Sequence, residues 1–251
     1  MIYKAPAKIN IGLDITGVRD DGYHLLDMVM QTIDVFDELD ITGRDDGRIV
    51  ITCDDPMVPT DERNLIYKAA RALTDEGINV KLIKHIPSQA GMGGGSSDAA
   101  TTLKAVNEIF GLGKSDRELE SLAASLGADV PFFIKGGRQR CRGIGEILDA
   151  LTPLKKYCVF IKPDACASTK EIYAEYDRLK PELSGDVINV LEPVTAAQFP
   201  IITELKNRFK EYGAETASMT GSGTAVFGLF EDKDKAQLCA SEMGGILCQT
   251  Y

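Results

Sequence analysis

The chain has no tryptophan and only two histidines among its 251 residues. Its six cysteines, at 53, 141, 158, 166, 239 and 248, include no Cys-x-x-Cys pair. A structural zinc site therefore lacks its usual ligand supply. Reduced, mostly buried thiols are expected instead of disulfides. No apolar run approaches the ~18 residues of a membrane span. The opening stretch, MIYKAPAKINIGLDI, shows no signal- or transit-peptide pattern, so a cytoplasmic protein without a membrane partner is expected. Positive charge is scarce too. Lys and Arg number 28 against 38 Asp and Glu, a net charge of −10. Nucleic-acid binding asks for the opposite sign, so no nucleic-acid partner is expected. A polyphosphate ligand would have to be drawn in by local features and a metal ion.

What is present is ordinary in amount: 44% hydrophobic and 26% charged residues, enough for one large domain or two small ones. Residues 8–15 alternate strictly, with Ile9, Ile11, Leu13 and Ile15 on one face, which predicts a half-buried strand. Further strands are expected over 28–40 and 48–52, and in NVKLIKHIP, where Pro87 ends the run. ERNLIYKAARAL carries a helical stripe. GKSDRELESLAASLG predicts a helix with a Ser115/Glu118 capping box and Gly127 at its end. Residues 141–154 show no clear period, and a soft lobe boundary falls near 150. Beyond it come the strand YCVFIK, the helix TKEIYAEYDRL, a helical stretch over 201–212, a turn and strand in SMTGSGTAVFGLF, and a closing helix KDKAQLCASEM. Strands and helices mix without βαβ regularity, which argues for an α+β fold.

One stretch stands apart, QAGMGGGSSDAA at 89–100. It lies between the strand ended by Pro87 and a helix predicted to start near Ser96, with Ala99, Leu103, Val106 and Phe110 at helical spacing. A helix N-terminus offers unpaired N–H groups and partial positive charge, and glycines let a phosphate approach the backbone. Ser96 and Ser97 add hydroxyls for phosphate oxygens or a bound Mg²⁺. Asp98 suits the helix dipole with or without a ligand. The run is not a Walker loop, because Ser-Ser-Asp follows where Gly-Lys-Ser/Thr is required. GLGKS also fails, with Glu108 five residues before Gly113. It is not a Rossmann fingerprint either, since Ser96 holds the third glycine position. A serine-capped turn with no ligand would have the same composition.

PSQAGMGGGSSDAA resembles the phosphate loop of the GHMP kinases, the superfamily of galactokinase, homoserine, mevalonate and phosphomevalonate kinases. Their usual form is Pro-x3-Gly-Leu-Gly-Ser-Ser-Ala-Ala. Here Met92 replaces the Leu, glycine continues through Gly95, and Asp98 follows the serine pair. PAKINIGLDITGVRDDGYHLLDMVMQTID, NLIYKAA, LGADVPFFIKGG with GIGEIL, and MTGSGTAVF resemble further motifs of the family in the same order. Residues 180–213 carry no recognisable motif. The resemblance implies a two-lobed α+β fold. Residues 1–149 would be a ribosomal-protein-S5-like ATP lobe. Residues 150–251 would be a ferredoxin-like lobe contributing to the substrate site, with last residues that could pair back onto the first lobe.

The resemblance also implies roles. ATP is the expected phosphoryl donor, held by Asn64 and Leu65 near the adenine and by Pro87, Gly91, Met92, Gly93, Gly94, Gly95, Ser96 and Ser97 at the phosphates. Mg²⁺ is implied by the chemistry, with Ser97 its one candidate ligand. Asp129 would be an ordinary loop carboxylate by residue type alone; the family position makes it the catalytic base. Lys8, otherwise a lysine on an amphipathic strand, becomes the group that steadies the acceptor hydroxyl opposite Asp129. Asn10 shares its strand face and is assigned to the substrate. The DGYHLL motif singles out a branch of the family whose acceptor is a crowded tertiary alcohol on a polyol linked to cytidine diphosphate. Tyr23 would stack on the base, Tyr173 would close the opposite side, and His24 would offer one donor and one acceptor to cytosine. Gly221, Ser222 and Gly223 would close over the acceptor and phosphates. His85 has no assigned role. A monomer or homodimer is expected. The rival readings are a kinase for mevalonate or phosphomevalonate, which have no base to stack, and a catalytically inactive nucleotide-binding homologue.

Overall fold

The computed structural model describes residues 1–181 and 187–251. Two compact units emerge, interleaved along the chain: Met1–Ala7, Val35–Ile86 and Gly93–Gly136 form the first, and Lys8–Asp34, Pro87–Met92 and Gly137–Tyr251 the second. The long strands β1 (Ile2–Val18) and β2 (His24–Arg44) pair with each other and give residues to both.

In the first unit, β3 (Ile49–Cys53), α1 (Leu65–Leu73) and β4 (Gly77–Ile83) form a crossover that pairs β3 with β4 in parallel. The end of β2 lies antiparallel to β4, from Glu38 opposite Ile83 to Arg44 opposite Gly77. α2 (Gly94–Ile109), α3 (Asp116–Leu126) and α4 (Val130–Lys135) complete the unit. Leu39, Ile41, Ile78, Val80 and Leu82 of the strands meet Ile66, Ala70, Ala105 and Val106 of the helices in one core. The predicted capping box is present: Ser115 accepts from the Glu118 N–H and Glu118 answers at the Ser115 N–H. Gly127 caps the helix end, but at φ 167° its backbone is extended, so the position does not call on the freedom peculiar to glycine.

α4 is absent from the sequence expectation. Its six residues span less than two turns, and Val130 through Ile134 are all buried, so no amphipathic stripe announces it. The helix predicted near Ser96 starts two residues earlier, at Gly94.

In the second unit, β2 pairs antiparallel with β5 (Arg138–Gly143), which pairs with β6 (Ile147–Leu151). This hairpin occupies the stretch that showed no clear period. A four-stranded antiparallel sheet follows, built from β7 (Tyr157–Ile161), β8 (Thr216–Met219), β9 (Val226–Phe230) and β10 (Ile246–Gln249) in the order β10-β7-β9-β8. α5 (Thr169–Leu179), α6 (Glu192–Gln198) and α7 (Ile201–Glu211) lie between β7 and β8, and α8 (Lys233–Met243) lies between β9 and β10. Strand order and helix placement are those of a ferredoxin-like split βαβ. All five residues of β9 are buried. Gly228 lets α7 close on the strand, since a Cβ there would stand 2.9 Å from the Phe209 ring. Thr250 bridges back to Ile33 of β2. No helix among the described residues is long and apolar enough to cross a membrane.

Candidate active site

Lys8 and Asn10 are buried on β1 at 3% and 1% exposure. A strand places residues i and i+2 on one face, and here the Lys8 ammonium donates to Asn10 Oδ1. Lysine is rarely buried unless paired, and Asn10 supplies a partner here. The Lys8 N–H donates to the Met92 carbonyl at 3.0 Å, tying the strand to the glycine run. Met92 is itself buried.

The two glycine-rich motifs touch backbone to backbone. A Cβ on Gly91 would stand 2.1 Å from the Thr220 carbonyl oxygen, and one on Gly223 would stand 2.5 Å from Gly91 N. Gly91 also has φ 77°, a left-handed conformation that favours glycine. Thr220 joins the motifs to Asn10: its Oγ1 accepts the Asn10 N–H at 3.0 Å, and lies 3.3 Å from both Asn10 Oδ1 and the Gly91 carbonyl, alternative acceptors for its one proton. Thr220 was not among the sequence candidates; its place inside MTGSGTAVF was the available signal.

A cleft of about 490 Å³ opens between these loops and the head of α5, lined by Gln89, Gly91, Ser168, Thr169, Ser222 and Gly223 with their neighbours. Ser168 caps α5, and the Thr169 and Ser222 hydroxyls lie 2.8 Å apart across it. Thr169 is a second residue that sequence reasoning passed over. A Ser-Thr pair opening a helix reads as a cap until the fold sets it beside the Ser222 loop.

The His24 ring, not that of Tyr23, lies against Tyr173, with centroids 4.7 Å apart and planes tilted 40°. Tyr23 is 62% exposed. His24 Nε2 stands 2.8 Å from Asp177 Oδ1. A carboxylate only accepts, so Nε2 carries the proton. The neutral ring so oriented has its second nitrogen, Nδ1, as an acceptor. Asp177 follows Tyr173 by one helical turn, which brings both to one face of α5.

In the first unit, Gly93 (φ 75°) turns the chain into α2 without any side-chain cap. Gly94, Gly95 and Ser96 form the first turn. A Cβ on Gly95 would meet nothing within 4 Å. Ser97 Oγ is buried and makes no hydrogen bond among the described residues. Beneath the turn lies an unexpected ion cluster. Lys84 donates to Asp37 and, at 2.9 Å, to Asp98. Asp37 also accepts the backbone N–H groups of His85 and Ile86 at 2.6 and 2.8 Å. Burial and the nearby Asp37 carboxylate raise the Asp98 carboxyl to about 7, against the opposing pull of Lys84. Asp98 therefore serves an interior lysine, where the sequence suggested only a dipole partner.

Asn64 is the N-cap of α1, accepting the Ile66 N–H at 2.8 Å while its amide donates to the Pro59 carbonyl at 2.6 Å. Both ends of its side chain are thus engaged, and Leu65 begins the helix half-buried. Asp129, half-buried, occupies the N-cap position of α4 with no side-chain cap bond to that helix.

Residues 64–137 match the family model of the GHMP kinases N terminal domain, and 174–246 that of the GHMP kinases C terminal. Together they define the class, a kinase of the GHMP type. The 4-diphosphocytidyl-2-C-methyl-D-erythritol kinase of Clostridium beijerinckii is 44% identical, covering 97% of this chain and 95% of the relative. That of Clostridium novyi is also 44% identical, over 95% and 94%. A crystal structure of 4-(cytidine 5'-diphospho)-2C-methyl-D-erythritol kinase aligns over 100% of this chain and 99% of its own, with TM-score 0.84 and 30% identity. The Methanococcus jannaschii mevalonate kinase, at 14% identity and TM-score 0.75, shares the fold. The chain belongs to the 4-diphosphocytidyl-2-C-methyl-D-erythritol kinase family of the GHMP kinases.

Proposed function

We propose that the chain is an ATP-dependent kinase. It phosphorylates the 2-hydroxyl of 4-diphosphocytidyl-2-C-methyl-D-erythritol to the 2-phosphate, in the non-mevalonate route to isoprenoid precursors. The observation that carries the acceptor is the cluster of His24, Tyr173 and Asp177. It supplies an aromatic face and an oriented acceptor nitrogen beside the exposed Tyr23. A cytosine ring, with its π-face and exocyclic amino group, uses both; mevalonate uses neither. Kinship at 44% identity with kinases named for this substrate supports the same reading.

The acceptor is a hindered tertiary alcohol, so orientation matters more than basicity. In this reading Asp129 takes the proton of the hydroxyl as it attacks. Lys8, steadied by Asn10, offsets the charge that develops. Gly221, Ser222 and Gly223, backed against Gly91, hold the acceptor side together with Thr169. The head of α2 holds the phosphates of ATP through its backbone N–H groups and Ser96. Leu65 and the backbone beside Asn64 border the adenine, and Pro87 lies on the phosphate side.

Mg²⁺ fits this site as an ion carried in on phosphates. Among the described residues no three of His, Cys, Asp and Glu gather into a metal cage, whereas Ser97 presents a buried oxygen without a protein partner. An ion held mainly by phosphates and water needs few protein oxygens. When bound, it neutralises charge on the transferred phosphoryl group.

The test is ADP release with the cytidyl substrate, with mevalonate and with no acceptor. Turnover is expected with the first alone. Turnover with mevalonate and none with the cytidyl substrate would sink the reading.

A further inference from the structure

The stretch 180–213 has no motif, yet its residue Asn189 is wholly buried and fully bonded. Its side-chain amide donates to two carbonyls on either side of Thr220: Met219 O at 2.9 Å and Gly221 O at 2.8 Å. Its Oδ1 accepts the Leu191 N–H at 3.0 Å, which fixes the amide orientation. Its backbone bridges Leu13 on β1, the strand that carries Lys8 and Asn10. Leu13 N–H donates to Ile188 O at 2.8 Å, and Val190 N–H to Leu13 O at 3.0 Å. Residues 188 and 190 thus bond the lysine strand through their main chain, while Asn189 between them holds the glycine turn through its side chain.

Glu192 reinforces the grip. One carboxylate oxygen accepts Ser218 Oγ and Met219 N–H at 2.8 Å each, and the other pairs with Lys206. What is held so firmly is the turn beside the buried ammonium. Gly221 has φ 60°, and a Cβ on it would stand 3.1 Å from Gly91 O and 3.5 Å from Lys8 Nζ.

We propose that Asn189 is a positioning residue for phosphoryl transfer, fixing Thr220 and Gly221 against Lys8 and Gly91. The proposal rests on the kinase reading above. A displaced Gly221 carbonyl would move the wall of the Lys8 site without removing any group that binds ATP or the cytidyl base. The signature is therefore a fall in kcat with little change in KM, because misplacement costs the transition state more than ground-state binding.

Asn189→Asp sets a carboxylate against both carbonyls. Thr195→Val is the comparison: it deletes a buried bond in the same region, Thr195 Oγ1 to Leu191 O at 3.1 Å, without touching the glycine turn. Asn189→Asp is expected to lower kcat by about 10- to 100-fold, with both KM values within about twofold of wild type. Thr195→Val is expected to lower the melting temperature alone. A folded Asn189→Asp enzyme with wild-type kcat overturns the proposal, as does an equal loss in Thr195→Val. If Asn189→Asp does not fold, Gly221→Ala, which disturbs the same turn, must show the kcat loss; wild-type kcat there overturns it equally. Should wild type turn over no cytidyl substrate, the kinase reading has failed by itself. Amide exchange at 219–223 then decides: faster in the Asn189 variant than in Thr195→Val supports the clasp, and equal exchange removes it.

Discussion

A methyl group on Gly91 would stand 2.1 Å from the carbonyl oxygen of Thr220, a residue 129 positions away in the chain. The two glycine-rich motifs are one structure, built on direct backbone contact. Gly91→Ala must both hold a left-handed conformation, at about 1–2 kcal/mol, and push the loops apart. A lower melting temperature and a loss of turnover are expected together. Wild-type values of both would show that the loops do not meet in solution.

Asp177 holds the proton on His24 Nε2, so removing it frees the ring to change tautomer. Asp177→Ala is expected to raise the KM for the cytidyl substrate by about 2- to 10-fold, the worth of one hydrogen bond. The KM for ATP should stay put. Tyr173→Ala should act in the same direction and more strongly, at ~1–3 kcal/mol for a lost stacking face. A rise confined to ATP would contradict the base-reading role of α5.

Asp98 supplies a pH signature. Its folded carboxyl titrates near 7, above the ordinary value of 3.8. Between those values the folded state holds a proton that the unfolded chain has released, so stability declines as pH rises through that window. The titration involves Lys84, which follows the end of β4, and Asp37 of β2. Asp98→Asn, neutral throughout, should flatten the decline in melting temperature between about pH 4 and 7. An unchanged slope would assign the proton elsewhere.

Asp129→Asn keeps the shape of the side chain and removes its basicity. Turnover is expected to fall by about 10²- to 10⁴-fold, while calorimetry still detects binding of the cytidyl substrate. Activity within a few-fold of wild type would remove Asp129 as the base.

Much of this was legible along the chain. Alternation over 8–15 marks part of β1, Ser115 and Glu118 mark the start of α3, and the glycine run marks the head of α2, because each depends on contacts within a few residues. α4 escaped because six buried residues carry no period, and β5 and β6 because a short hairpin without a strong apolar face resembles loop. His24 was legible as a candidate but its packing against Tyr173 was not: a strand end in DGYHLL says nothing about which helix face will meet it.

The sequence by itself determined the local elements and the chemistry available at the loop, since backbone periodicity and glycine freedom act over one or two turns. Tertiary structure alone decided that Gly91 meets Thr220, that Lys84 lies beneath Gly94 between two carboxylates, and that Asn189 grips the turn beside Lys8. Those contacts join residues distant in the chain, and burial, which no local pattern encodes, leaves each polar group only the partners that packing brings within reach.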